Sequence, residues 1–238
     1  MRYKVPKSIL IVPCFNESER LSSKQFKEAA SDDFHIIFAN DGSNDSTAEL
    51  LEDLCKDEPF LHFFNNKRNK GKAGVIFDCY QSMDFSEFDY IGYWDADLAT
   101  PLWEVENMIN YAKSHNNKFD AIWGSRVLRL GADIQRSPTR HYFGRVFASV
   151  IGLLLNVKSY DSQCGAKLFN QEAAKIAFRD PFMTKWIFDV EILLRLKDFS
   201  ILEYPLRQWR DVPGSKVKIS RDIFRVLKDI FKLWKKYH

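Results

Sequence analysis

Short apolar runs separated by polar turns organise the first half of the chain. Ser8-Ile9-Leu10-Ile11-Val12 shows no alternation, which predicts a strand buried on both faces. His35-Ile36-Ile37-Phe38-Ala39, Tyr90–Trp94 and Ala121-Ile122-Trp123-Gly124 repeat that pattern, and Leu61–Phe64 is a shorter version of it. Between these runs the spacing becomes helical. Thr47–Cys55 sets Leu50, Leu51 and Leu54 on an inner face, a second helix starts within Asn69–Gly74 and runs to about Met83, and a third covers Glu104–Ser114. Thr100 is placed to cap that third helix, with Pro101 at its first position. Strands that alternate with helices and end in polar motifs predict an α/β fold with a mostly parallel sheet flanked by helices. Ligands of such sheets sit beyond the carboxyl ends of the strands, where strand order reverses. The polar ends at Asn16-Glu17, Asn40-Asp41 and Asp95/Asp97 are therefore expected to face one crevice.

The second half is less regular. Gly124-Ser125-Arg126 leads into a basic loop with Arg129, Arg136, Arg140 and Arg145 nearby. Tyr142–Leu155 predicts an apolar helix, shorter than the ~20 residues of a membrane span. Asp161-Ser162-Gln163-Cys164-Gly165 reads as a polar turn before Ala166–Phe169, and Gln171–Phe178 reads as a helix. Trp186–Leu194 is apolar apart from Asp189 and Glu191, Ile201–Leu206 predicts a strand, and Asp211–Lys216 a loop. From Ile219 to Tyr237 the pattern is that of a basic amphipathic helix. Ile223, Val226, Leu227, Ile230, Phe231 and Trp234 share one side, and Arg225, Lys228, Lys232, Lys235 and Lys236 lie mostly on the other. That pattern suits a helix lying on an anionic membrane, and equally a terminal helix covering the core with a solvated basic face. The expected division is one domain over residues 1–218 and this helix over 219–238.

Composition narrows the classes. A chain of 238 residues is long enough to bury a sizeable core, and its net charge of +3 does not make the whole molecule a polyanion binder. No nucleic-acid partner is expected. Four scattered cysteines form no CxxC pair, which points away from a zinc site or a disulfide framework and toward a reducing, cytosolic setting. The apolar run after Met1–Lys7 is too short for a signal peptide.

The chemistry starts at Tyr93-Trp94-Asp95-Ala96-Asp97. Two carboxylates at the carboxyl end of a buried strand suit Mg²⁺ or Mn²⁺ held together with a phosphate. Solvated loop acids or a helix cap would give the same three letters. Side chains alternate along a strand, so for both acids to converge the chain must turn as it leaves the sheet or keep them on one face. No GxGxxG follows the first strand and no Walker A loop occurs, which disfavours a dinucleotide fold and a P-loop.

Eight motifs in order resemble the inverting GT-A glycosyltransferases of family 2. They are Val12–Glu17, Asn40–Ser43, Lys70–Gly74, Asp95–Asp97, Gly124–Arg126, Asp161–Gly165, Trp186–Glu191 and Trp209–Lys216. The later ones look most like the dolichyl-phosphate β-glucosyltransferases, and somewhat less like the dolichyl-phosphate mannose synthases. The resemblance implies a GT-A (Rossmann-like) fold, a nucleotide-sugar donor such as UDP-glucose, a divalent metal and an inverted product. It also implies a polyprenyl- or dolichyl-phosphate acceptor and a peripheral position on the cytosolic face of a membrane. By position, Pro13, Phe15, Asn16 and Glu17 would line the nucleoside pocket, Asp41 would reach the base and Lys72 would lie by the nucleotide. Asp95, Ala96 and Asp97 would hold the ribose and the metal–diphosphate, Arg126 and Arg140 the acceptor phosphate, and Lys216 would sit in a loop closing over the donor. Asn40 departs from the Asp common at its position, Ala99 from a frequent polar residue, and Gly144 from a Ser. Gln208-Trp209-Arg210 lacks the spacing of the processive polymerases.

A lipid phosphate is already anionic and needs positioning more than deprotonation, whereas a hydroxyl acceptor needs a carboxylate base. Asp189, Glu191 and Asp161 are the candidates for that base. In the alternative, Asp189 and Glu191 orient buried arginines and Asp161 caps a turn; His141 and the cysteines are read as structural. Two further readings stay open: a soluble family member acting on a saccharide or protein hydroxyl, and a non-catalytic module binding a nucleotide sugar or lipid headgroup.

Overall fold

The computed structural model describes residues 6–115, 118–212 and 219–237. The strands are β1 (Ser8–Cys14), β2 (Phe34–Asp41), β3 (Leu61–Asn66), β4 (Tyr90–Trp94), β5 (Ala121–Ser125), β6 (Asp133–Gln135), β7 (Ala166–Phe169), β8 (Ile201–Pro205) and β9 (Gln208–Arg210). The helices are α1 (Ser23–Ala29), α2 (Thr47–Cys55), α3 (Lys72–Ser82), α4 (Trp103–Ser114), α5 (Pro138–Leu155), α6 (Gln171–Ala177), α7 (Phe188–Arg195) and α8 (Ile219–Tyr237).

Seven strands form one sheet in the order β3-β2-β1-β4-β7-β5-β8, and β6 and β9 make a small second sheet. Only β7 runs antiparallel in the large sheet. Because β2 and β4 flank β1 on opposite sides, strand order reverses at β1. The carboxyl ends of β1, β2 and β4 are therefore where a ligand crevice is expected. Alternation along the strands splits the core into two layers. Leu10, Val12, Ile36, Phe38, Trp94, Ile122 and Leu168 pack on one face, and Ile9, Ile11, Ile37, Tyr93, Trp123 and Phe169 on the other. Each such aliphatic or aromatic side chain contributes roughly 1.5–3 kcal/mol on burial, which is why these runs tolerate no polar interruption.

Three local expectations change. Helix α4 begins at Trp103 with Leu102 as its cap, not at Pro101, and makes no side-chain cap bond. Thr100 is buried, and its carbonyl instead accepts from the Trp94 indole at 2.7 Å. Trp186–Leu194 resolves into a loop leading into α7, whose acids at Asp189 and Glu191 stand in its first turn. On α8, the supposed single apolar side divides. Val226, Ile230 and Leu233 pack with Ile151 and Leu155 of α5 and with Val190 and Leu194 of α7, while Leu227, Phe231 and Trp234 remain exposed. No helix among the described residues is long and apolar enough to cross a membrane. All four cysteines are free, and three are buried.

At the far end of β2, His35 Nδ1 and His62 Nε2 lie 3.1 Å apart, so one ring must donate while the other accepts. Burial lowers the pKa of both; Lys7 adds to the effect at His35, and the facing His35 adds to it at His62. Folded values below the ordinary 6.5 mean that the unfolded chain takes up protons first as pH falls. The pair's stabilisation is complete above that value and is lost below it. Melting temperature is expected to drop between about pH 6.5 and 5, and His62→Leu to flatten that segment of the curve; equal slopes for the two proteins would contradict this.

Candidate active site

The carboxyl ends of β1 and β2 are tied to each other. Asn16 adopts a left-handed backbone (φ 54°), which asparagine tolerates, and its N–H donates to Ser43 Oγ at 3.0 Å. Its side-chain carbonyl accepts from the Asn44 N–H at 2.9 Å. The Glu17 N–H donates to Thr47 Oγ1 at 2.8 Å, and the Glu17 carboxylate is gripped by Arg20. Arg20, unremarked in the sequence, also lies in the field of Asp97 and Asp95. Pro13 pairs with Ala39 one step before the β1–β2 register ends at Cys14 and Asn40, and the half-buried Phe15 follows.

Asp41 does not point freely at a ligand. Its two oxygens accept the N–H groups of Lys70 and Gly71 at 2.7 and 2.8 Å. Burial raises its pKa against those bonds, and Lys185, on the approach to α7, pulls it back. Gly42 lets the β2 turn close against this loop: at φ +63° a Cβ would stand 2.7 Å from the Arg68 carbonyl carbon. Asp41 thus sets the entry to α3, and with it Lys72.

The two acids converge because the chain turns. After Trp94 the Leu98 N–H donates to the Asp95 carbonyl at 3.3 Å, and Leu98 takes a left-handed φ of 52° that costs a branched residue about 1–2 kcal/mol. Asp97 accepts from the Ala99 N–H at 3.1 Å, and Ala96 is buried between the acids. Asp95 Oδ1 pairs with Lys72 Nζ at 2.5 Å. Burial, then the neighbouring Asp95, raises the Asp97 pKa. Gly165 of the β7 approach forms the floor. Its carbonyl accepts the Asp95 N–H at 3.1 Å, and a Cβ there would lie 1.8 Å from Asp95 Oδ2.

These residues fit a hard divalent cation. Two neighbouring carboxylates form an oxygen donor set: burial and then Asp95 raise the Asp97 pKa, Arg20 and Lys72 pull it back, and Lys72 pairs directly with Asp95. Among the described residues no group of three metal-ligating side chains occurs, so a cation here would take its remaining ligands from substrate phosphates and water.

On the other side of β7 from β4, Arg126 leaves β5 and is clamped by Asp161, with Nε–Oδ2 2.6 Å and NH2–Oδ1 2.7 Å; its own N–H also donates to Asp161 at 3.1 Å. Burial opposes the Asp161 charge, but Arg126 outweighs it and holds the carboxyl at about 2. Burial likewise opposes the Arg126 charge, and Asp161 reverses that, raising its pKa. Arg140 stands in the first turn of α5; its side chain lies outside the described residues, as does Lys216. Asp189 accepts from the Tyr93 hydroxyl and pairs with Lys167 at 2.7 Å, not with an arginine. Glu191 does pair with a buried arginine: it accepts from Arg195 at 2.8 Å and from the Met183 N–H at 2.9 Å. Arg145 donates to the Tyr160 carbonyl and stacks on that ring at 3.7 Å.

The family model for glycosyl transferase family 2 matches residues 9–178. A dolichyl-phosphate beta-glucosyltransferase of Trichomonas vaginalis is 32% identical over 226 residues, covering 88% of this chain and 66% of that protein. One from Dictyostelium discoideum is 30% identical, covering 96% and 74%. Glycosyltransferase AglD of Haloferax volcanii is 26% identical, and this chain spans 36% of its length. In fold, the chain is similar to glucosyl-3-phosphoglycerate synthase of Mycobacterium tuberculosis in complex with Mn²⁺, UDP and phosphoglyceric acid (TM-score 0.65, 13% identity, 94% of this chain and 78% of that one). It is also similar to mannosyl-3-phosphoglycerate synthase of Rubrobacter xylanophilus (TM-score 0.67, 14% identity, 96% and 73%).

Proposed function

The chain belongs to glycosyl transferase family 2, and on that footing we propose that it transfers glucose from UDP-glucose to a polyprenyl or dolichyl phosphate at a membrane surface. One observation carries the choice of acceptor. Each carboxylate that sequence offers as a base is already engaged: Asp161 by Arg126, Glu191 by Arg195, and Asp189 by Lys167 and Tyr93. A hydroxyl acceptor has no ready proton acceptor among them, whereas a phosphate arrives ionised. The glucosyltransferase relatives support the same choice.

In this reading Pro13, Phe15, Asn16 and Glu17 line the nucleoside side, and Asp41 shapes that side through the Lys70–Gly71 backbone. Asp97 and Asp95 hold Mg²⁺ or Mn²⁺. Bound there, the ion offsets the charge that builds on the departing diphosphate. Lys72, paired to Asp95, adds a cation on the same side. Arg126 spends Nε and NH2 on Asp161, which leaves its NH1 edge to orient the acceptor phosphate, together with Arg140. Attack from the Arg126 side, opposite the diphosphate, inverts the anomeric centre. Exposed Leu227, Phe231 and Trp234 on α8, bracketed by exposed Lys228, Lys232 and Lys235, support contact with an anionic bilayer.

The test presents UDP-glucose with a short polyprenyl phosphate in anionic vesicles, the matching polyprenol, and simple sugars. Transfer confined to the phosphate supports the reading, and transfer confined to hydroxyls overturns it. Gly165→Ala is expected to lower kcat/KM about 100-fold by displacing Asp95, because a misplacement of about 1 Å costs that much. Unchanged kinetics would show that the Gly165 floor is not needed.

A further inference from the structure

A lysine lies buried under the crevice, and none of the roles above uses it. Lys167 stands at the middle of the sheet, in register with Tyr93 of β4 on one side and Trp123 of β5 on the other. It is 0% exposed, with Nζ 5.2 Å from the Tyr93 ring centroid and 4.4 Å from that of Trp123. An ammonium so placed survives only if it is paired and hydrogen-bonded. Asp189, at the first turn of α7, supplies the pair at 2.7 Å, and the Cys164 carbonyl accepts a further bond. The Tyr93 hydroxyl donates to the same Asp189 oxygen.

These contacts reach both sides of the site. Cys164 lies inside the Asp161–Gly165 turn, which clamps Arg126 at one end and floors Asp95 at the other. Tyr93 is two residues before Asp95, and its ring lies 5.5 Å from Lys72 Nζ. Phe188, the neighbour of Asp189, lies 5.9 Å from the same nitrogen. The pair is therefore bonded to the turn that carries the acceptor side and, through Tyr93, to the strand that carries the donor side.

We propose that Lys167 and Asp189 are positioning residues: their buried ion pair fixes the Asp161–Gly165 turn and the floor beneath Lys72, and Asp189 takes no proton in the reaction. Asp189 already accepts from an ammonium and a phenol, so taking a further proton would break the pair, and in this proposal the pair serves to hold one geometry. The inference rests on the proposed function only for the identity of the substrates.

The experiment compares Asp189→Asn, Lys167→Met and the double variant Lys167→Met/Asp189→Leu. It reads melting temperature, UDP binding by titration calorimetry with Mn²⁺, and the pH profile of glucosyl transfer. Asp189→Asn is expected to weaken UDP binding and lower turnover about 10–100-fold, in the range seen when a supporting partner is lost, with the shape of the pH profile unchanged. The double variant, which leaves no lone charge, is expected to regain most of the melting temperature lost in Lys167→Met and part of the UDP binding. Loss of the acid limb of the pH profile in Asp189→Asn, with UDP binding at the wild-type level, would make Asp189 the base and overturn the proposal. Additive losses in the double variant would overturn it as well. Failure of the functional reading looks different: wild type would show no lipid product, while the UDP-binding and melting comparisons would still report on the pair.

Discussion

Asp97→Asn is expected to lower kcat/KM for glucosyl transfer by about 10³-fold while leaving melting temperature equal or higher. In the proposed reading Asp97 holds the cation that offsets the diphosphate charge, and loss of one electrostatic contribution of that kind costs about 10²–10³. The stability effect has the opposite sign. Burial and Asp95 raise the folded pKa of Asp97 above the ordinary 3.8, so at neutral pH its ionised form is less favourable in the folded protein than in the unfolded chain. Asn keeps the bond from the Ala99 N–H and removes the repulsion. Activity and stability should therefore move apart, as expected of a site held ready for a cation. A parallel fall of both would mean that Asp97 serves the fold.

Arg126→Met is expected to have the largest effect on stability, about 3–5 kcal/mol, because it strands Asp161 in the interior without its partner. The pH dependence identifies the cause. In wild type the Asp161 carboxyl is held at about 2, so its stabilisation is complete above the ordinary 3.8 and is lost only as pH falls toward 2. Without Arg126 the folded carboxyl rises above the unfolded value, the loss is already present at neutral pH, and it shrinks as acid neutralises Asp161. The double variant Arg126→Met/Asp161→Leu removes both charges and should recover most of the stability by chemical denaturation. It should not recover transfer, since in the proposed reading the acceptor phosphate then keeps Arg140 alone of its two arginines. Recovery of transfer would place the acceptor elsewhere.

The first half of the fold was legible because its strands are unbroken apolar runs ending in polar residues; the reversal of strand order at β1 is a matter of long-range pairing and had no mark in the sequence. Strand β7 was not assigned. Four residues are a weak signal, and Lys167 puts a charge where a central strand should be apolar; its partners, Asp189 and the two aromatic rings, come from distant parts of the chain. Helix α1 passed unnoticed because it is one short stretch with Phe26 as its sole buried residue. In the site, the acids at Asp95 and Asp97 stood out by type and spacing. The clamp of Asp161 on Arg126 and the floor at Gly165 did not, since neither pairing has any local sequence mark. Asp41, expected to reach the base, also holds the Lys70–Gly71 backbone, a contact set by loop closure that residue type alone did not reveal. On α8, helical spacing grouped Val226 with Phe231, and packing against α5 and α7 separated them.

In the proposed reaction an anionic acceptor attacks directly, on the face of the sugar opposite the departing diphosphate. The most direct measurement is the anomeric configuration, by NMR, of the glucosyl lipid that the purified protein makes from UDP-glucose and a short polyprenyl phosphate with Mn²⁺. A β-linked phosphodiester is the predicted product. An α-linked product, or glucose found only on hydroxyl groups, would contradict it.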